Sequence, residues 1–410
     1  MLGRYLLVIN KEFDYIVIGA GIVGISLGLA ILERIPKKKV LIIDKESKPG
    51  VHASGRNSGV LHAGFYYSPD SLKAKFCRLG NLELKNFCKE NRIPILETGK
   101  VVVCQSKNDV SKLEDLFRRG VANGVDIEIL SETELDKIEP AAKTIDKFIW
   151  SPTTAVGNPK LVISQLAEKF IKSGGKFQFN CSAKLVSAND QVLIETIYGT
   201  YSAASIINSA GAYAANLARQ VNVGNQYACL PFLGAYKKSK LVDSNPRRLV
   251  YPVPNPINPF LGVHTTNTLN GEIKIGPTAF PVIGKEQYKL SNGFNGSEFL
   301  EFYKAAKALF KSDSVDLIGL AREEFVKLFT KPLLNKTNKL TNSLNSNKQW
   351  SKYPAGIRAQ IINLETKTIE MDYIVQSDKN VVHILNAVSP GWTSAIPFTR
   401  WVVENQPLLR

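Results

Sequence analysis

Residue types that build metal and disulfide sites are scarce in this chain. Its 410 residues hold five cysteines, Cys77, Cys88, Cys104, Cys181 and Cys229, and no two of them form a CxxC pair. A zinc site or a disulfide framework is therefore not expected, and no other metal site is visible in the sequence. Scattered, unpaired cysteines fit a reducing compartment.

Long apolar runs are missing as well. Crossing a bilayer takes about 20 consecutive apolar residues, and no segment of the sequence reaches that length. The opening residues 1–13 are mildly basic and lack both a long apolar stretch and a clear cleavage site. A cleaved targeting signal is therefore not expected.

Acidic residues are outnumbered, with 36 Asp and Glu against 52 Lys and Arg and a formal net charge of +16. A charge of this sign attracts phosphates, anionic lipid surfaces and acidic substrates. The lysines are spread out, with only Lys37–Lys39 as a run, and no basic segment is interleaved with aromatic residues. Nucleic-acid binding is therefore not expected, whereas peripheral contact with an anionic membrane surface remains open.

A strand, a helix and a second strand follow one another near the N-terminus. Residues 14–18 (DYIVI) predict a buried strand, and residues 22–35 predict an apolar-faced helix. Pro36 stops this helix, and residues 40–43 (VLII) predict the second buried strand. This order is typical of a right-handed βαβ crossover.

The glycines between the first strand and the helix form a GxGxxG fingerprint. Gly19, Gly21 and Gly24 supply a tight turn, a close approach of the backbone to a pyrophosphate, and close helix–strand packing. The helix N-terminus directs free N–H groups at phosphates. Asp44, 20 residues beyond Gly24, ends the second strand, where its carboxylate can bind ribose hydroxyls. The pattern predicts a Rossmann dinucleotide site. The motif by itself leaves FAD and NAD open, and its position near the N-terminus favours FAD.

The rest of the chain alternates helices and strands and then becomes β-rich. Predicted helices cover residues 71–91, 109–122, 131–138, 159–173, about 211–218, 297–311, 319–330 and the end of the chain after residue 393. Predicted strands cover residues 100–104, 176–181, 184–196, 201–208, 233–237, 248–253, 260–266, 271–276, 356–363, 371–375 and 381–387. Residues 331–352 are rich in Lys, Asn and Ser and predict a polar helix or an exposed loop.

Length and alternation together indicate two domains, or one large discontinuous one. We expect an α/β fold (α+β overall), in which a Rossmann-type nucleotide domain is assembled from three separate pieces, residues 13–90, 150–224 and 352–410. A second, β-rich domain is expected over residues 91–149 and 225–351.

A loop rich in Gly, Ser, Asn and His follows the βαβ unit. Residues 54–67 (SGRNSGVLHAGFYY) offer backbone N–H groups and short polar side chains that can line a pyrophosphate or a flavin edge. A solvated surface loop with turn chemistry is the alternative. His62 adds a titratable group, and Tyr66 and Tyr67 add two phenols.

Several strings of the sequence resemble one enzyme family. DYIVIGAGIVGISLGLAIL, SGRNSGVLHAGFYYSPDSLKAKFC and GNLELKNFC are similar to the N-terminal region of L-2-hydroxyglutarate oxidases and dehydrogenases, members of the FAD-dependent D-amino-acid-oxidase superfamily. Similar strings follow in the same order: LGVHTT (261–266), IGPTAF (275–280), AGIRAQ (355–360) and VHILNAVSP (382–390). The resemblance covers most of the chain apart from residues 285–350.

The resemblance implies a noncovalent FAD in the Rossmann-type domain and a substrate site in the β-rich domain. The implied reaction oxidises the 2-hydroxy group of a five-carbon dicarboxylate to 2-oxoglutarate, with hydride transfer to flavin N5 and electrons passed to a membrane quinone or to oxygen. We expect a cytoplasmic protein, peripheral at the inner membrane where it meets a quinone, and mitochondrial in a eukaryote. The residues expected at the cofactor are Gly19, Gly21, Gly24, Asp44, Lys45, Ser54, Asn57, Ser58, Gly59, Ala210, Gly211, Gly356, Pro390 and Gly391.

Histidine is the natural base for the hydroxyl proton, since it titrates near neutral pH. The chain has four histidines. The resemblance places His62 near the flavin and His264 on the substrate domain, so both are candidates for catalysis. His383 lies in an apolar strand and is expected to be a core residue, and His52 is expected on a surface loop.

Cations are needed to bind the carboxylates of such a substrate. In related flavin oxidases the arginine that matches Arg358 engages the substrate carboxylate or the flavin, and its planar fork suits bidentate binding. Tyr66 and Lys73 are candidates for the distal carboxylate. The alternatives are an ordinary strand position for Arg358 and a solvated helix face for Lys73.

Three departures from the family pattern bear on the substrate. Arg56 stands where the family usually has His, Gly391-Trp392-Thr393 replaces Ala-Ala-Thr, and residues 155–159 lack the usual acidic residue. Three functions therefore remain open: a 2-hydroxy-acid oxidoreductase, a related enzyme acting on glycerol 3-phosphate or an amino acid, and a flavin-bound protein without catalysis.

Overall fold

The computed structural model describes residues 9–10, 13–254, 260–312, 316–342, 344 and 349–409. The strands are β1 (Ile9–Asn10), β2 (Tyr15–Ile18), β3 (Val40–Ile43), β4 (Val60–Leu61), β5 (Ile95–Leu96), β6 (Lys100–Val103), β7 (Glu128–Ser131), β8 (Lys147–Ser151), β9 (Ala155–Gly157), β10 (Lys176–Gln178), β11 (Lys184–Ala188), β12 (Gln191–Thr196), β13 (Gly199–Tyr201), β14 (Ser205–Asn208), β15 (Tyr227–Lys240), β16 (Leu249–Pro252), β17 (His264–Asn267), β18 (Glu272–Gly276), β19 (Phe280–Pro281), β20 (Ser351–Asn363), β21 (Thr368–Ile369), β22 (Ile374–Asp378) and β23 (Val381–Asn386). The α-helices are α1 (Ile22–Arg34), α2 (Leu72–Glu90), α3 (Asn108–Ala122), α4 (Glu132–Ile138), α5 (Pro159–Lys172), α6 (Ala214–Arg219), α7 (Gly296–Phe310), α8 (Leu317–Lys327), α9 (Thr330–Thr337) and α10 (Gly391–Asn405).

A parallel sheet forms the centre of the first half of the molecule. Its strand order is β10-β3-β2-β14-β23-β22, and only β22 runs antiparallel to its neighbour. Every residue of β2, β3, β14 and β23 is buried, because these continuous apolar strands are covered on both faces. Helices α1, α5 and α10 pack on one face, and the small sheet β11–β13 packs on the other. The predicted βαβ crossover is confirmed in β2, α1 and β3.

An antiparallel sheet dominates the second half. Its order is β17-β18-β15-β20-β21, with β19 beside β15. A second sheet, β16-β6-β8-β7, lies next to it, since the backbone N–H of Val250 in β16 donates to Thr265 Oγ1 in β17 at 3.1 Å. Helices α7 and α8 cover part of the antiparallel sheet through a shared apolar cluster. The fold is α/β, as predicted.

Two strand predictions are corrected by local turns. The run 184–196 is a hairpin of β11 and β12, because Asn189 has a φ of +54° and reverses the chain. The run 201–208 divides between β13 and β14, which belong to different sheets. Residues 331–352 include the end of α9 and the start of β20, and the part at 343 and 345–348 lies outside the described residues.

The predicted domain boundary at residue 352 does not coincide with a change of sheet. Strand β20 pairs with β15 from Tyr227↔Asn363 to Lys238↔Ser351, so residues 351–363 lie in the antiparallel sheet and not in the parallel one. An apolar run does not reveal its partner strand, because pairing is decided by contacts distant in sequence. The other boundaries stay predictions.

No helix among the described residues is both long enough and apolar enough to cross a membrane.

Candidate active site

The glycine fingerprint forms the turn between β2 and α1. Gly19 has a φ of +107°, which residues with a side chain rarely adopt. A Cβ on Gly24 would lie 1.9 Å from the carbonyl oxygen of Gly19, so loop and helix are in backbone contact. Gly21 is the N-cap residue of α1. The N-terminus of α1 therefore closes onto the end of β2, the geometry that brings N–H groups to a pyrophosphate.

Asp44 and Ser54 hold this turn in place. The Asp44 carboxylate accepts hydrogen bonds from Ala20 N at 2.6 Å and from Glu46 N at 2.8 Å. Ser54 Oγ accepts a hydrogen bond from Ile22 N at 3.0 Å. Asp44 thus stands beside the glycine turn at the end of β3, where a ribose partner is predicted, and the ribose contact itself stays a prediction.

Replacing Gly24 by alanine is expected to destabilise the fold and to lower the flavin content, because the new methyl group would meet the Gly19 carbonyl. Flavin absorbance per protein and the melting temperature measure both effects. Gly296→Ala is the matched control, since Gly296 begins α7 and a Cβ there would meet nothing within 4 Å. Equal flavin content and melting temperature in the two variants would contradict the expectation.

The carboxyl ends of β2, β14 and β23 lie side by side at one edge of the parallel sheet. Beyond β14 come Ala210 and Gly211, and beyond β23 come Pro390 and Gly391. A Cβ on Gly211 or Gly391 would meet nothing within 4 Å, so the space at this edge is open. Ligands of open α/β sheets bind in the crevice outside the strand ends.

The loop after β3 is ordered by its own side chains. Asn57 Nδ2 donates to Ser54 O at 2.7 Å, and Asn57 Oδ1 accepts from Gly59 N at 2.8 Å. Lys274 Nζ, from the antiparallel sheet, donates to Ser58 O at 2.8 Å. The loop is therefore tied to the β-rich half and is not a free surface loop.

Arg56, a departure from the family pattern, braces the same loop. Its guanidinium carbon lies 4.0 Å from the centre of the Tyr288 ring, and it donates hydrogen bonds to Val51 O and Ala355 O. A Cβ on Gly356 would lie 2.4 Å from Arg56 O. Gly356 is thus required where β20 passes close to the loop.

Lys45 and His52 belong to a polar cluster at the end of β3. Lys45 is ion-paired with Glu46 at 3.3 Å and with Glu286. Ligand-type atoms of Glu46, His52 and Glu286 lie within 4.8 Å of one another, but the Lys45 ammonium already neutralises two of these groups. His52 Nδ1 lies 2.6 Å from Tyr288 OH, so the predicted surface histidine is instead half-buried in a network with a distant segment.

His62, His264 and Arg358 come together although they are far apart in the sequence. Burial is the largest reason that the pKa of His62 lies well below its ordinary range, and the charges of Lys100, His264 and Arg358 lower it further. His62 N donates to Thr393 Oγ1 at 3.3 Å, so His62 lies against the start of α10. The structure therefore assembles the three predicted catalytic residues within electrostatic reach of one another.

The ring of His264 is held in one tautomer. Its Nδ1 lies 2.8 Å from Gly262 O, so Nδ1 carries the proton and Nε2 has the free lone pair. That Nε2 is buried without a hydrogen-bond partner among the described residues. The ring stacks on Tyr251 with centroids 3.7 Å apart, and burial lowers the pKa of His264 to about 3. His264 is therefore an oriented, neutral acceptor.

Arg358 lies on β20, opposite Phe232 of β15. Its guanidinium carbon is 4.8 Å from the centre of the Phe260 ring. Burial lowers the pKa of Arg358, while the neighbouring phenols Tyr236 and Tyr67 oppose that shift. The charge of Glu324 also opposes the lowering of this pKa.

Lys73 is buried within electrostatic reach of Arg358, and Tyr66 is half-buried in the loop that carries His62. Burial lowers the pKa of Lys73 to about 8, with Asp372 opposing the shift and Arg358 adding to it. A solvated helix face for Lys73 is wrong, because its residue surface is 4% exposed. The hydroxyl of Tyr66 is buried without a partner among the described residues.

Two buried lysines at the site are absent from the sequence prediction. Lys100 is 0% exposed and Lys274 is 2% exposed. Burial lowers the pKa of Lys100 to about 7 and that of Lys274 to about 8. The sequence holds no signal that separates them from exposed lysines, since Lys100 begins the strand KVVV and Lys274 shares the strand EIKIG with Glu272.

His383 and Trp392 complete the account of the predicted positions. His383 is a core residue, as predicted, with Nδ1 3.1 Å from Asn208 Nδ2. Trp392 is packed into the main apolar cluster, and a Cβ on Gly157 would lie 3.5 Å from its ring. Trp392 and the segment 155–159, two of the departures from the family pattern, are therefore neighbours in the structure.

Unpartnered buried polar atoms concentrate around these side chains. Four of them are His62 Nδ1 and Tyr66 OH from one loop, His264 Nε2 and Trp392 Nε1. Buried polar groups nearly always have a partner, so this concentration marks a site for a polar ligand. Together with the glycine turn, Asp44 and the open edge of the parallel sheet, these residues fit a bound dinucleotide and a small polar substrate.

Comparisons with known proteins agree with this geometry. A family model described as FAD dependent oxidoreductase matches residues 14–404. An L-2-hydroxyglutarate dehydrogenase of Indibacter alkaliphilus is 37% identical over 404 residues, which cover 96% of this chain and 98% of that protein. An L-2-hydroxyglutarate dehydrogenase of Escherichia coli is 31% identical over 401 residues, which cover 96% of this chain and 92% of that protein.

A solved structure shows the same fold. The L-α-glycerophosphate oxidase of Mycoplasma pneumoniae, solved with FAD bound, superposes with a TM-score of 0.74 at 23% identity, covering 97% of this chain and 94% of that one. The family match spans both halves of the molecule and includes the glycine turn and the assembled histidines and arginine. The chain therefore belongs to the FAD-dependent oxidoreductases of the D-amino-acid-oxidase superfamily, and FAD is its cofactor.

Proposed function

We propose that this enzyme oxidises L-2-hydroxyglutarate to 2-oxoglutarate. The observation that carries the proposal is the charge of the site. No carboxylate among the described residues contributes to the pKa of His62, His264 or Lys100, whereas cations do contribute to both histidines. Such surroundings favour a dianion over a zwitterionic amino acid. The names of the Indibacter and Escherichia relatives support the choice of this acid.

Each part of the substrate has a proposed partner. Arg358 binds the carboxylate next to the hydroxyl group through its two-pronged guanidinium. His264 Nε2 accepts the hydroxyl proton, because its Nδ1 is committed to Gly262. Lys73 and Tyr66 bind the distal carboxylate. FAD, when bound, supplies the acceptor for the hydride that leaves the substrate carbon.

The proposed cofactor contacts lie along the open edge of the parallel sheet and the loop beside it. His62 lines the site from the side of α10, and its neutral ring avoids competition with Arg358 for the substrate carboxylate. The residues proposed to hold FAD are Gly19, Gly21, Gly24, Asp44, Lys45, Ser54, Asn57, Ser58, Gly59, Ala210, Gly211, Gly356, Pro390 and Gly391.

Anaerobic mixing of the holoenzyme with L-2-hydroxyglutarate tests the proposal. Rapid loss of the flavin absorbance band is expected, with no loss when the D-enantiomer is used. Glycerol 3-phosphate and L-glutamate are the comparison substrates, because one is a dianion and the other carries an ammonium group. If either comparison compound bleaches the flavin faster, that compound is the substrate and the proposal is wrong. If none of the three compounds bleaches it, the protein binds flavin without this catalysis.

We also propose that the enzyme works at a membrane surface and passes its electrons to a quinone there. Helices α7 and α8 bury one apolar face against the antiparallel sheet and still expose apolar side chains on the other. The exposed apolar residues of this segment, here called the α7–α8 surface, are Phe294, Phe299, Leu300, Tyr303, Phe310, Ile318, Phe325, Val326 and Phe329. Exposed Lys304, Lys307 and Lys311 lie among them. Aromatic residues interleaved with lysines suit the interface of an anionic bilayer.

Vesicle binding should depend on this surface. The holoenzyme is expected to co-sediment with vesicles containing anionic lipid and to bind less at high salt, whereas the double variant Phe299→Ser, Phe310→Ser is expected to bind weakly. Leu82→Ser and Ile197→Ser, which replace exposed apolar residues elsewhere, form the control. Equal binding of both double variants, or a concentration-dependent dimer without vesicle binding, would contradict the proposal. Faster reoxidation of the reduced flavin by vesicle-borne quinone than by oxygen is the expected kinetic counterpart.

A further inference from the structure

Lys100 is a buried cation in a cage of aromatic rings. Its Nζ lies 4.4 Å from the centre of the Phe65 ring, 4.5 Å from that of Tyr66 and 4.9 Å from that of Tyr251. The residue is 0% exposed, and Nζ has no hydrogen-bond partner among the described residues. An ammonium group has three N–H donors, so a lysine in this position is costly to the fold and needs an explanation.

Two residues of the cage adjoin the proposed catalytic histidines. Tyr251, which forms one wall, stacks on His264 with centroids 3.7 Å apart. Tyr66, which forms another wall, lies in the loop that carries His62. Lys100 itself starts β6, whose neighbour β16 carries Tyr251. The lysine is therefore within electrostatic reach of both histidines and shielded from the solvent.

The charged groups around the two histidines all lower the histidine pKa values. His62 faces Lys100, His264 and Arg358, and His264 faces Lys100, Lys274 and Arg358. Around Lys100 itself, the other titratable groups are Cys77 of α2 and the two phenols of the cage. Glu272 acts on Lys274 and Glu324 acts on Arg358, but no carboxylate among the described residues contributes to the pKa of His62, His264 or Lys100. A cation at Lys100 therefore disfavours the protonated form of either histidine.

We propose that Lys100 is a positioning residue, a caged cation that acts together with burial to keep His62 and His264 uncharged, so that their free nitrogens stay available to the substrate. The cage supplies cation–π stabilisation in place of an acidic partner, which would cancel the field that the histidines experience. Burial lowers the pKa of Lys100 to about 7, so the lysine is protonated below that pH, and its charge then adds to burial in lowering the pKa of both histidines. The consequence for catalysis rests on the proposed function, whereas the charge state of the histidines does not.

The test follows the histidines and the activity separately. Histidine titration in the oxidised holoenzyme is measured by NMR with labelled histidine, and flavin reduction by substrate is measured as a function of pH. Lys100→Met removes the charge and keeps an unbranched side chain within the cage. In this variant the titrations of His62 and His264 are expected to rise by roughly one pH unit or more, and the acid limb of flavin reduction should move to higher pH with them. Lys100→Arg keeps the charge, so His62 and His264 should titrate in this variant as they do in the wild type.

Lys85→Met is the matched control, because Lys85 is also buried but is ion-paired with Glu97 at 3.1 Å and is not among the groups that shift the pKa of either histidine. It should leave both titrations unchanged. Unchanged titrations in Lys100→Met, or a shift in Lys100→Arg equal to that in Lys100→Met, would overturn the proposal. A raised KM for the dicarboxylate with unchanged titrations would also overturn it, since Lys100 would then be a substrate ligand. If L-2-hydroxyglutarate fails to reduce the flavin while the titrations shift as expected, the proposed substrate fails and the role of Lys100 stands.

Discussion

Arg358→Met is expected to lower kcat/KM for L-2-hydroxyglutarate by roughly 30- to 5,000-fold, because truncating one partner of a buried charge pair costs about 2–5 kcal/mol. The guanidinium is buried over Phe260 and lies within electrostatic reach of His62 and His264. Steady-state kinetics with a quinone analogue as electron acceptor measure the loss. Arg358→Lys keeps the charge without the fork, so an intermediate loss is expected.

The control for this prediction is a second arginine packed on an aromatic ring. The guanidinium carbon of Arg248 lies 4.5 Å from the centre of the Trp150 ring, and Arg248 donates hydrogen bonds to Ile138 O and Thr98 O. Arg248→Met should lower the melting temperature and leave kcat/KM nearly unchanged. A loss of kcat/KM in Arg248→Met equal to that in Arg358→Met would show that the effect is structural and not a matter of substrate binding.

His264→Gln is expected to slow flavin reduction by about 10²–10⁴-fold, the usual contribution of a positioned general base. Glutamine can still hydrogen-bond the substrate hydroxyl but cannot take its proton. Rapid anaerobic mixing under single-turnover conditions measures the step. His383→Gln is the matched control, because His383 is a fully buried histidine of the parallel sheet whose Nδ1 contacts Asn208.

The pH dependence follows from the same histidine. With the pKa of His264 lowered to about 3, its ring is neutral across the range from pH 5 to 8, and kcat/KM should lose no activity in that range through its protonation. Through this histidine, the activity should fall as the pH drops toward that pKa, since the protonated ring has no free lone pair. If His62→Gln slows flavin reduction more than His264→Gln does, and removes the acid limb, the proton acceptor is His62.

Local sequence patterns predicted the parts of the fold that local physics decides. The βαβ unit followed from two continuous apolar strands, three glycines and a proline stop, and its position agrees with the structure to within a few residues. The same is true of the helices with clear caps, such as α5, which starts with Pro159 after the capping side chain of Asn158. Strand pairing was less predictable, as the placement of β20 beside β15 shows.

The residues of the candidate site likewise include some that the sequence predicted and some that it did not. His62, His264 and Arg358 were found from the resemblance and from the chemistry that a 2-hydroxy acid requires. Lys100 and Lys274 were not, because a lysine at the edge or in the middle of a short apolar strand looks the same whether it points to solvent or into a site. The half-buried place of His52 was missed for a related reason, since its partner Tyr288 is 236 residues away in the sequence.

By itself the sequence determined the dinucleotide turn, the family and the residue types that the chemistry uses, because each of these depends on short strings whose meaning is local. Only the tertiary structure decided which charges face one another. It fixed the tautomer of His264 through Gly262, packed Trp392 over Gly157, and enclosed Lys100 in three rings without an acidic partner. The physical reason is that burial and Coulomb interactions depend on distances in space, which strands from remote parts of the chain set only when they pair.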